Sequence, residues 1–258
     1  MERIFVGPAP RLAVQAAGRG SLVLFLHGIG GNRHSWDAQV EFFSRHFRAA
    51  SWDARGYGES DDYEGPLQFS TFTSDVSRVL DHFEVERTHL VGLSMGGRIA
   101  RNFALAHPER LKSLVLANTS PGFGALSPSQ VAAFIEQRKN LQPAAQAKRL
   151  LGPDPHPSAY DKLVAALSAV HRESYLKTVE ASVAQDLAAP VEKIRVPTLV
   201  IGGKHDPLYS IDIARGLARR IPGARLVELD CGHVSNLELP DQFNSVVLEF
   251  LQTQEKIP

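Results

Sequence analysis

The sequence predicts an α/β protein: a mostly parallel sheet of eight strands, flanked by helices and interrupted by one helical insertion. Short apolar runs alternate with helical patterns along most of the chain, which is typical of right-handed βαβ units. The runs are continuous and bounded by glycine or polar residues, as in strands buried on both faces of a parallel sheet. Between 121 and 190 only helical patterns occur, and this indicates the insertion.

The strands follow one another in chain order. Residues 21–26, SLVLFL, form a continuous apolar run that ends at a His-Gly pair, and such a run predicts a buried strand. The same criterion, with a weaker pattern in the first two, predicts the strands Ile4–Val6, Leu12–Ala17, Ser21–Leu26, Arg48–Asp53, Thr88–Leu93, Ser113–Asn118, Pro197–Ile201 and Ala224–Asp230.

Helices are predicted between these strands. From 70 to 83 the apolar residues recur at helical spacing and line one face. The predicted helices are Ser70–Phe83, Met95–Ala106, Ile211–Arg219 and Gln242–Leu251.

The insertion contains three predicted helices, with the sequences SPSQVAAFIEQRKN, PSAYDKLVAALSAVHR and ESYLKTVEASVAQDL. Ser127 and Ser158 stand where N-caps are expected. Pro143 and the proline-rich residues 152–157 separate the helices as breakers. We therefore predict a sheet core formed by 1–120 and 191–258, with a helical cap at 121–190.

Composition limits the class of protein. The 258 residues carry 28 basic and 28 acidic side chains, so the net charge is zero. This argues against a nucleic-acid-binding protein, because contacts to nucleic-acid phosphates normally need an excess of basic charge. The N-terminus lacks a signal-peptide pattern, and no apolar run approaches the roughly 18 residues of a membrane span. The single Cys231 excludes a disulfide framework and a zinc site of several thiolates. We expect a cytoplasmic protein that binds neither nucleic acid nor membrane.

A nucleophile is predicted at Ser94. Residues 92–96, GLSMG, match G-x-S-x-G and lie between a predicted strand and a predicted helix, which is the context this motif requires. A serine on so sharp a turn has strained backbone angles, and glycines leave room around it. The turn would present the hydroxyl above the sheet edge, beside backbone N–H groups of the helix N-terminus.

A serine hydroxyl needs a base, and the base needs an orienting carboxylate. His233, just past the last predicted strand, is the favoured base among ten histidines; His107 and His205 are alternatives. Asp206 follows the strand before it, so all three side chains would share one edge of the sheet. The order Ser94, Asp206, His233 is that of a Ser-Asp-His hydrolase.

An oxyanion hole would use backbone N–H groups. Met95 follows the nucleophile directly and supplies one donor. The glycine-rich loop 27–31, HGIGG, should supply the second, at Ile29.

Other features have structural interpretations. The loop 53–60, DARGYGES, could hold a second catalytic carboxylate, but we favour a structural loop fixed by Asp53 and Arg55. Cys231 is interpreted as a buried thiol beside the histidine. For Trp36 and Trp52, the sequence leaves open whether they border a pocket or lie in the core.

Together these motifs resemble the α/β-hydrolase fold family over nearly the whole chain. HGIGG, DARGYGES, GLSMGG, GGKHDPL and CGHVSNLELP occur in the family's order. Family members that are haloalkane dehalogenases or epoxide hydrolases carry aspartate where Ser94 stands, so both are excluded. Carbon–carbon hydrolases of the family often have Asn before the serine and Trp after the histidine; here Leu93 and Val234 stand there.

The segment 233–240, with DARGYG and GLSMGG, is most similar to the 3-oxoadipate enol-lactonase and carboxylesterase group. This resemblance implies a serine hydrolase that cleaves a small-molecule ester or lactone, without metal or organic cofactor, under a helical cap. Two alternatives stay open: a carbon–carbon hydrolase or lyase of the same fold, since residues 96–98 also resemble a menaquinone-pathway lyase, and a ligand receptor with slow turnover.

The cap is expected to select the substrate. A dicarboxylate lactone would need a cationic partner there. Basic residues of the insertion include Arg138, Lys139, Lys148, Arg149 and Arg172, and spacing alone leaves open which of them face the site. The oligomeric state is not predicted.

Overall fold

The structure, a computed structural model, describes residues 1–122, 127–184 and 189–255. Its eight strands form one sheet in the order β1-β2-β4-β3-β5-β6-β7-β8. β1 and β2 pair antiparallel, β2 also pairs antiparallel with β4, and every other pairing is parallel. The strands are β1 Glu2–Val6, β2 Leu12–Ala17, β3 Leu22–Leu26, β4 Arg48–Trp52, β5 Thr88–Leu93, β6 Leu111–Ala117, β7 Thr198–Gly203 and β8 Arg225–Leu229. The predicted fold class is confirmed.

Ten α-helices lie in the described ranges. They are α1 Asp37–Phe43, α2 Thr71–His82, α3 Met95–Ala106, α4 Pro128–Lys139, α5 Pro143–Leu150, α6 Ala159–Ser168, α7 Arg172–Ala184, α8 Ile211–Arg220, α9 Ser235–Glu238 and α10 Pro240–Glu255. Across these ranges every helix is too short or too polar to span a bilayer.

The core lies on both faces of the sheet, because successive side chains of a strand point to opposite faces. In β3, Leu22, Leu24 and Leu26 belong to one buried cluster, which also contains apolar residues of α2, α3 and α8. Val23 and Phe25 belong to the other, with apolar residues of α1 and α10. All five side chains are fully buried, which accounts for the unbroken apolar run in the sequence.

The insertion differs from the prediction in one element. Pro143 does not break a helix: it is the first residue of α5. Proline suits this position because the first helical N–H has no intrahelical acceptor in any case. Ser127 caps α4, its side chain accepting from the Gln130 N–H. Ser158 is the N-cap of α6 but makes no capping hydrogen bond through its side chain.

The four helices α4 to α7 lie between β6 and β7 in the chain. The third predicted helix corresponds to α7, and its last residues, 185–187, lie outside the described residues. The division into core and cap stays a prediction.

Candidate active site

Parallel strands bring their carboxyl ends to one edge of the sheet, and ligands of open α/β sheets bind at that edge. Ser94 directly follows β5, Asp206 follows β7 by three residues, and His233 follows β8 by four. The predicted nucleophile, acid and base therefore share one edge, although 139 residues of sequence separate Ser94 from His233.

Ser94 is on a sharp turn between β5 and α3, with φ 56° and ψ −115°. Its backbone N–H donates to the Ala117 carbonyl at 2.9 Å, which ties the turn to β6. A Cβ on Gly92 would lie 2.2 Å from the Gly96 carbonyl oxygen, and one on Gly96 would lie 2.1 Å from the Leu26 carbonyl oxygen. Both positions therefore require glycine for the close approach of strand, turn and helix.

Ser94, His233 and Asp206 form a chain of hydrogen bonds. The Ser94 Oγ lies 2.9 Å from His233 Nε2, and His233 Nδ1 lies 2.9 Å from the Asp206 Oδ2. A carboxylate only accepts, so we assign the proton to Nδ1, which leaves Nε2 to accept from the serine hydroxyl. The histidine is 4% and the aspartate 7% exposed, so water competes little for these bonds.

Asp206 is held as a carboxylate. Its Oδ1 accepts from the backbone N–H groups of Leu208 at 2.8 Å and Tyr209 at 3.0 Å. Burial raises its pKa, but His233 and these two N–H groups together outweigh burial, and the net pKa lies below its ordinary value. The ionised form is therefore favoured, and its Oδ2 accepts from Nδ1 of the histidine.

Asn118 is a contributor that the sequence analysis did not identify. Its Nδ2 donates to the Asp206 Oδ2 at 3.2 Å and to the Gly232 carbonyl at 3.0 Å. Its Oδ1 accepts from the Ser235 hydroxyl at 2.6 Å. A signal was present, since Asn118 follows β6 directly, at the same sheet edge as the other three.

The loop after β3 is fixed beside the serine. His27 Nε2 accepts from the Ala54 N–H at 3.1 Å, so its Nδ1 carries the proton and donates to the Gly28 carbonyl at 2.8 Å. Burial lowers the pKa of His27, which favours this neutral form. Ile29 of this loop borders the cavities next to Ser94, and Met95 is the first residue of α3.

Glu238 holds the loop that carries His233. Its Oε2 accepts from the backbone N–H groups of Gly152 at 2.6 Å and Gly232 at 2.9 Å. Its Oε1 accepts from the Val234 N–H at 3.1 Å. The carboxylate is 2% exposed, and the three donors satisfy it. It connects the residues on both sides of His233 to the loop after α5.

Two small cavities meet at Ser94, and Ile29, Leu150 and His233 also border both. The first, here called the apolar cavity, has a volume of about 40 Å³ and is bordered further by Trp36, Leu93, Leu163, Val234 and Leu237, among others. The second, the arginine cavity, has about 60 Å³ and is bordered further by Arg98, Phe134, Arg138, Gln146, Leu167, Tyr175, Leu208 and Tyr209. Helices of the insertion contribute to both.

The alternative histidines lie elsewhere. His205 Nε2 contacts the exposed Asp230 at 2.8 Å, and His107 lies 3.7 Å from Glu109 in an exposed pair. Asp53 forms a buried ion pair with Arg33, which agrees with the structural interpretation of its loop.

Trp36 borders the apolar cavity, whereas Trp52 lies in the core. Cys231 is buried, and burial next to carboxylates raises the pKa of its thiol, so the reactive thiolate is disfavoured. Within 1–122, 127–184 and 189–255, no group of three or more His, Cys, Asp or Glu side chains could hold a metal ion.

Comparison with known proteins identifies the family of the chain. The sequence profile of the α/β hydrolase fold matches residues 21–240. The chain belongs to the α/β-hydrolase fold family. It is therefore a hydrolase by family, and the predicted resemblance is confirmed.

Individual relatives cover most of the chain. It is 30% identical to 3-oxoadipate enol-lactonase 2 of Acinetobacter baylyi, over 87% of this chain and 86% of that protein. It is 31% identical to a 2-hydroxy-6-oxononadienedioate/2-hydroxy-6-oxononatrienedioate hydrolase of Cupriavidus pinatubonensis, over 89% and 86%. The crystal structure of the enol-lactonase from Burkholderia xenovorans LB400 is similar at a TM-score of 0.85 and 31% identity, over 94% of this chain and 96% of that one.

Proposed function

We propose that this protein hydrolyses carboxylic esters or lactones, with Ser94 as nucleophile, His233 as general base and acid, and Asp206 as the orienting carboxylate. The observation that carries the proposal is the pair of 2.9 Å contacts that join the three side chains. Ser94 also borders both cavities, so a substrate carbonyl can reach its hydroxyl. The enol-lactonase relatives support the ester or lactone class.

The reaction begins with attack of the Ser94 Oγ on the carbonyl carbon, while His233 Nε2 takes the hydroxyl proton. The carbonyl π electrons move to oxygen, and the N–H groups of Ile29 and Met95 stabilise the resulting oxyanion. The ester C–O bond then breaks with its electron pair on the leaving oxygen. His233 returns the proton to that oxygen, or to the enolate carbon if the leaving group is an enol.

The second half of the reaction releases the acid. His233 takes a proton from water as the water oxygen attacks the acyl carbon of the serine ester. The bond between the acyl carbon and Ser94 Oγ breaks, and the proton passes back to Oγ. Asp206 stays ionised throughout and stabilises the imidazolium that forms in each half. No external oxidant, reductant or co-substrate other than water is needed.

The helices of 121–190 are proposed to act as a cap over this site. Leu150 and Leu163 border the apolar cavity, and Phe134, Arg138 and Tyr175 border the arginine cavity. Side chains of the insertion would thus contact the substrate on either side of the reacting carbonyl and exclude water from it.

The test is a comparison of Ser94→Ala with the native chain on a 4-nitrophenyl ester. We expect kcat to fall by about 10⁴- to 10⁶-fold, because the nucleophile of such a triad cannot be replaced. A fluorophosphonate probe should label the peptide that contains Ser94 in the native chain and leave the variant unlabelled. Ser70→Ala, at an exposed residue whose side chain makes no capping bond, is the matched control. Near-native turnover by Ser94→Ala would refute the proposal.

A second candidate function is that of a carbon–carbon hydrolase of the same fold, since the relatives also include a 2-hydroxy-6-oxononadienedioate/2-hydroxy-6-oxononatrienedioate hydrolase. Leu93 and Val234 at the diagnostic positions favour the ester or lactone function. A vinylogous diketone substrate assayed beside a short ester separates the two by the ratio of their kcat/KM values. A receptor function would instead give ligand-dependent thermal stabilisation with turnover slower than minutes.

A further inference from the structure

We propose that Asn118 is a positioning residue that weakens the hold of the Asp206 carboxylate on protonated His233. Its amide donates a second hydrogen bond to the carboxylate oxygen that faces the histidine, and Ser235 fixes the orientation of this amide. This role rests on the proposed function, in which His233 takes up a proton and gives it back in each half of the reaction. Such a group must release its proton as readily as it binds it.

The orientation of the Asn118 amide follows from its three partners. The Asp206 carboxylate and the Gly232 carbonyl can only accept, so the NH₂ group faces them, at 3.2 and 3.0 Å. The amide oxygen then faces the Ser235 hydroxyl, which donates to it at 2.6 Å. Ser235 is fully buried, so water does not compete for this bond. Rotation of the amide would therefore break all three hydrogen bonds at once.

The backbone also holds Asn118 at the sheet edge. Its N–H donates to the Ile201 carbonyl of β7 at 2.8 Å. Its φ of 45° lies in the left-handed region, which asparagine adopts more readily than most residues other than glycine. The side chain is 1% exposed, and a Cβ on Gly203 would lie 2.9 Å from its Nδ2. The amide is thus held closely between β6 and the loops that follow β7 and β8.

The two oxygens of Asp206 are each shared by two donors. Oδ1 accepts from the N–H groups of Leu208 and Tyr209. Oδ2 accepts from His233 Nδ1 at 2.9 Å and from Asn118 Nδ2 at 3.2 Å. Four donors occupy the acceptor sites of a carboxylate and fix its plane. Asn118 is the one member of this set that acts on the same oxygen as the histidine.

Sharing of this oxygen sets the balance between Asp206 and His233. A hydrogen bond to an ionised carboxylate stabilises its charge, so the donor from Asn118 lowers the attraction of Oδ2 for the imidazolium. Without that donor, the bond between Oδ2 and Nδ1 would strengthen, and protonated imidazole would persist to higher pH. His233 would then be unable to act as a base over part of the pH range in which the native chain is active.

The change should affect the base and leave substrate binding intact, because Asn118 is absent from the described borders of both cavities. In the described ranges the ionisable side chains around His233 include Asp206, Tyr209, Cys231, Glu238 and, across the arginine cavity, Arg98 and Arg138. All of these stay in place in the variants below, so a change in the titration of the base can be attributed to the amide.

The experiment measures the pH dependence of kcat/KM on a 4-nitrophenyl ester for the native chain, Asn118→Gly and Ser235→Ala. Glycine keeps the left-handed backbone at position 118. In Asn118→Gly the acid limb should move to higher pH by about 0.4–1 pH unit, the size of one neutral hydrogen bond. On that limb kcat/KM then falls by up to about 10-fold, and by less at higher pH. An acid limb that stays in place or moves to lower pH would refute the role.

Ser235→Ala tests the orientation of the amide separately. The variant removes one hydroxyl and frees the Asn118 amide to rotate, so the acid limb should move in the same direction by a smaller amount. A native acid limb in Ser235→Ala would refute the orienting role of Ser235.

Asn244→Ala is the matched control. Asn244 is 4% exposed, and its Oδ1 accepts from the Gln39 Nε2 at 3.0 Å, away from the candidate triad. Loss of this buried amide should lower the thermal midpoint, as Asn118→Gly does, and leave the acid limb in its native position. If Asn244→Ala moves the limb as far as Asn118→Gly, the cause is a general loosening of the structure and the role of Asn118 is refuted.

An NMR measurement separates failure of this role from failure of the proposed function. The proton on His233 Nδ1, assigned by its loss in His233→Gln, is observed without any substrate. A stronger hydrogen bond to Oδ2 moves this resonance downfield, so we expect a downfield shift in Asn118→Gly and the native position in Asn244→Ala. If the native chain hydrolyses no ester, the proposed function fails and the resonance alone decides the role of Asn118. An unchanged or upfield resonance in Asn118→Gly refutes it.

Discussion

The backbone N–H of His233 donates a 2.7 Å hydrogen bond to the carbonyl oxygen of Leu150. Leu150 is the last residue of α5, so the candidate base is bonded directly to the helical insertion. The same loop is held from the other side by the buried carboxylate of Glu238, which accepts from Gly152, Gly232 and Val234. The insertion therefore holds the backbone of the candidate base in place.

Glu238→Gln tests this connection. The amide NH₂ cannot accept, so at least one buried backbone N–H loses its partner, and we expect a loss of about 1.5–3 kcal/mol in the free energy of unfolding. If the loop positions His233, kcat should fall more than KM changes. Glu249→Gln, an exposed member of an ion pair on α10, should cost at most about 1 kcal/mol. Urea unfolding and ester kinetics measure both; equal effects of the two variants would contradict the prediction.

Asp206→Asn should abolish most of the activity with little change in fold. An amide can donate to Nδ1 and so favour the wrong tautomer of His233, and the expected decrease in kcat is about 10⁴-fold. The control is Asp230→Asn, which alters the exposed partner of His205; its kcat should stay close to that of the native chain. Steady-state kinetics on one ester measures both variants. A decrease in kcat of less than tenfold for Asp206→Asn would argue against the role of Asp206.

The lowered pKa of Asp206 predicts that the stability of the protein depends on pH. The pKa of Asp206 in the folded chain lies below its ordinary value of 3.8. A lowered folded pKa stabilises the protein above the ordinary pKa, and this contribution is lost as the pH falls through the folded pKa. The difference in urea midpoint between the native chain and Asp206→Asn should therefore shrink below about pH 4. A difference that grows on acidification would be inconsistent with the lowered pKa.

Glu255, at the end of α10, gives a second acid-sensitive contact. It lies 2.8 Å from Lys112 and 2.9 Å from the buried His89. Burial raises its pKa, but Lys112, His89 and Ser21 outweigh that effect and lower it to about 2. The stabilisation is present above its ordinary pKa of 4.5 and is lost between there and about 2.

Glu255→Gln should therefore lower the thermal midpoint at pH 6, and its difference from the native chain should shrink below pH 4.5 and vanish as the pH approaches about 2. Glu41→Gln, at an exposed side chain of α1, is the control and should run parallel to the native curve. If the difference between Glu41→Gln and the native chain changed with pH in the same way, the effect would be general acid unfolding and would not arise from the Glu255 contact.

Two glycine substitutions should have opposite effects. Gly96→Ala would place a Cβ 2.1 Å from the Leu26 carbonyl oxygen, so strand and helix must separate, and we expect a clear loss of stability and of ester turnover. Gly216 lies inside α8, and a Cβ there would come no closer than 3.9 Å to another side chain, at the Arg219 Nη2 of the same helix. There alanine should stabilise by about 0.5–1 kcal/mol. Thermal unfolding of both variants tests the pair, and stabilisation by Gly96→Ala would contradict the turn geometry.

The sheet was predictable because its evidence is local. Continuous apolar runs such as Leu22–Leu26 report burial on both faces, and the strand Thr88–Leu93 and the helix Met95–Ala106 begin and end where predicted. α5 was missed because Pro143 was treated as a breaker, although proline equally starts helices. Short polar helices have little periodicity, so their limits depend on what they pack against.

The residues of the candidate site likewise divide into those that local sequence patterns predicted and those that they did not. Ser94, Asp206 and His233 were predicted because each stands within a strand-end motif, and the topology of a parallel sheet brings such ends together. Asn118 and Glu238 were missed, since a single Asn or Glu has no motif of its own. Their roles depend on hydrogen bonds to Asp206 and Gly152, which lie 88 and 86 positions away in the sequence, respectively.

The sequence by itself determined the fold class, the order of the elements and the residue types at the sheet edge, because periodicity and motifs are properties of neighbouring residues. Only the tertiary structure decided which side chains surround the serine. It placed Arg138 beside the cavity and left Arg149, eleven residues further, exposed. The physical reason is that burial and charge pairing depend on how helices pack across the chain, and no local pattern encodes that packing.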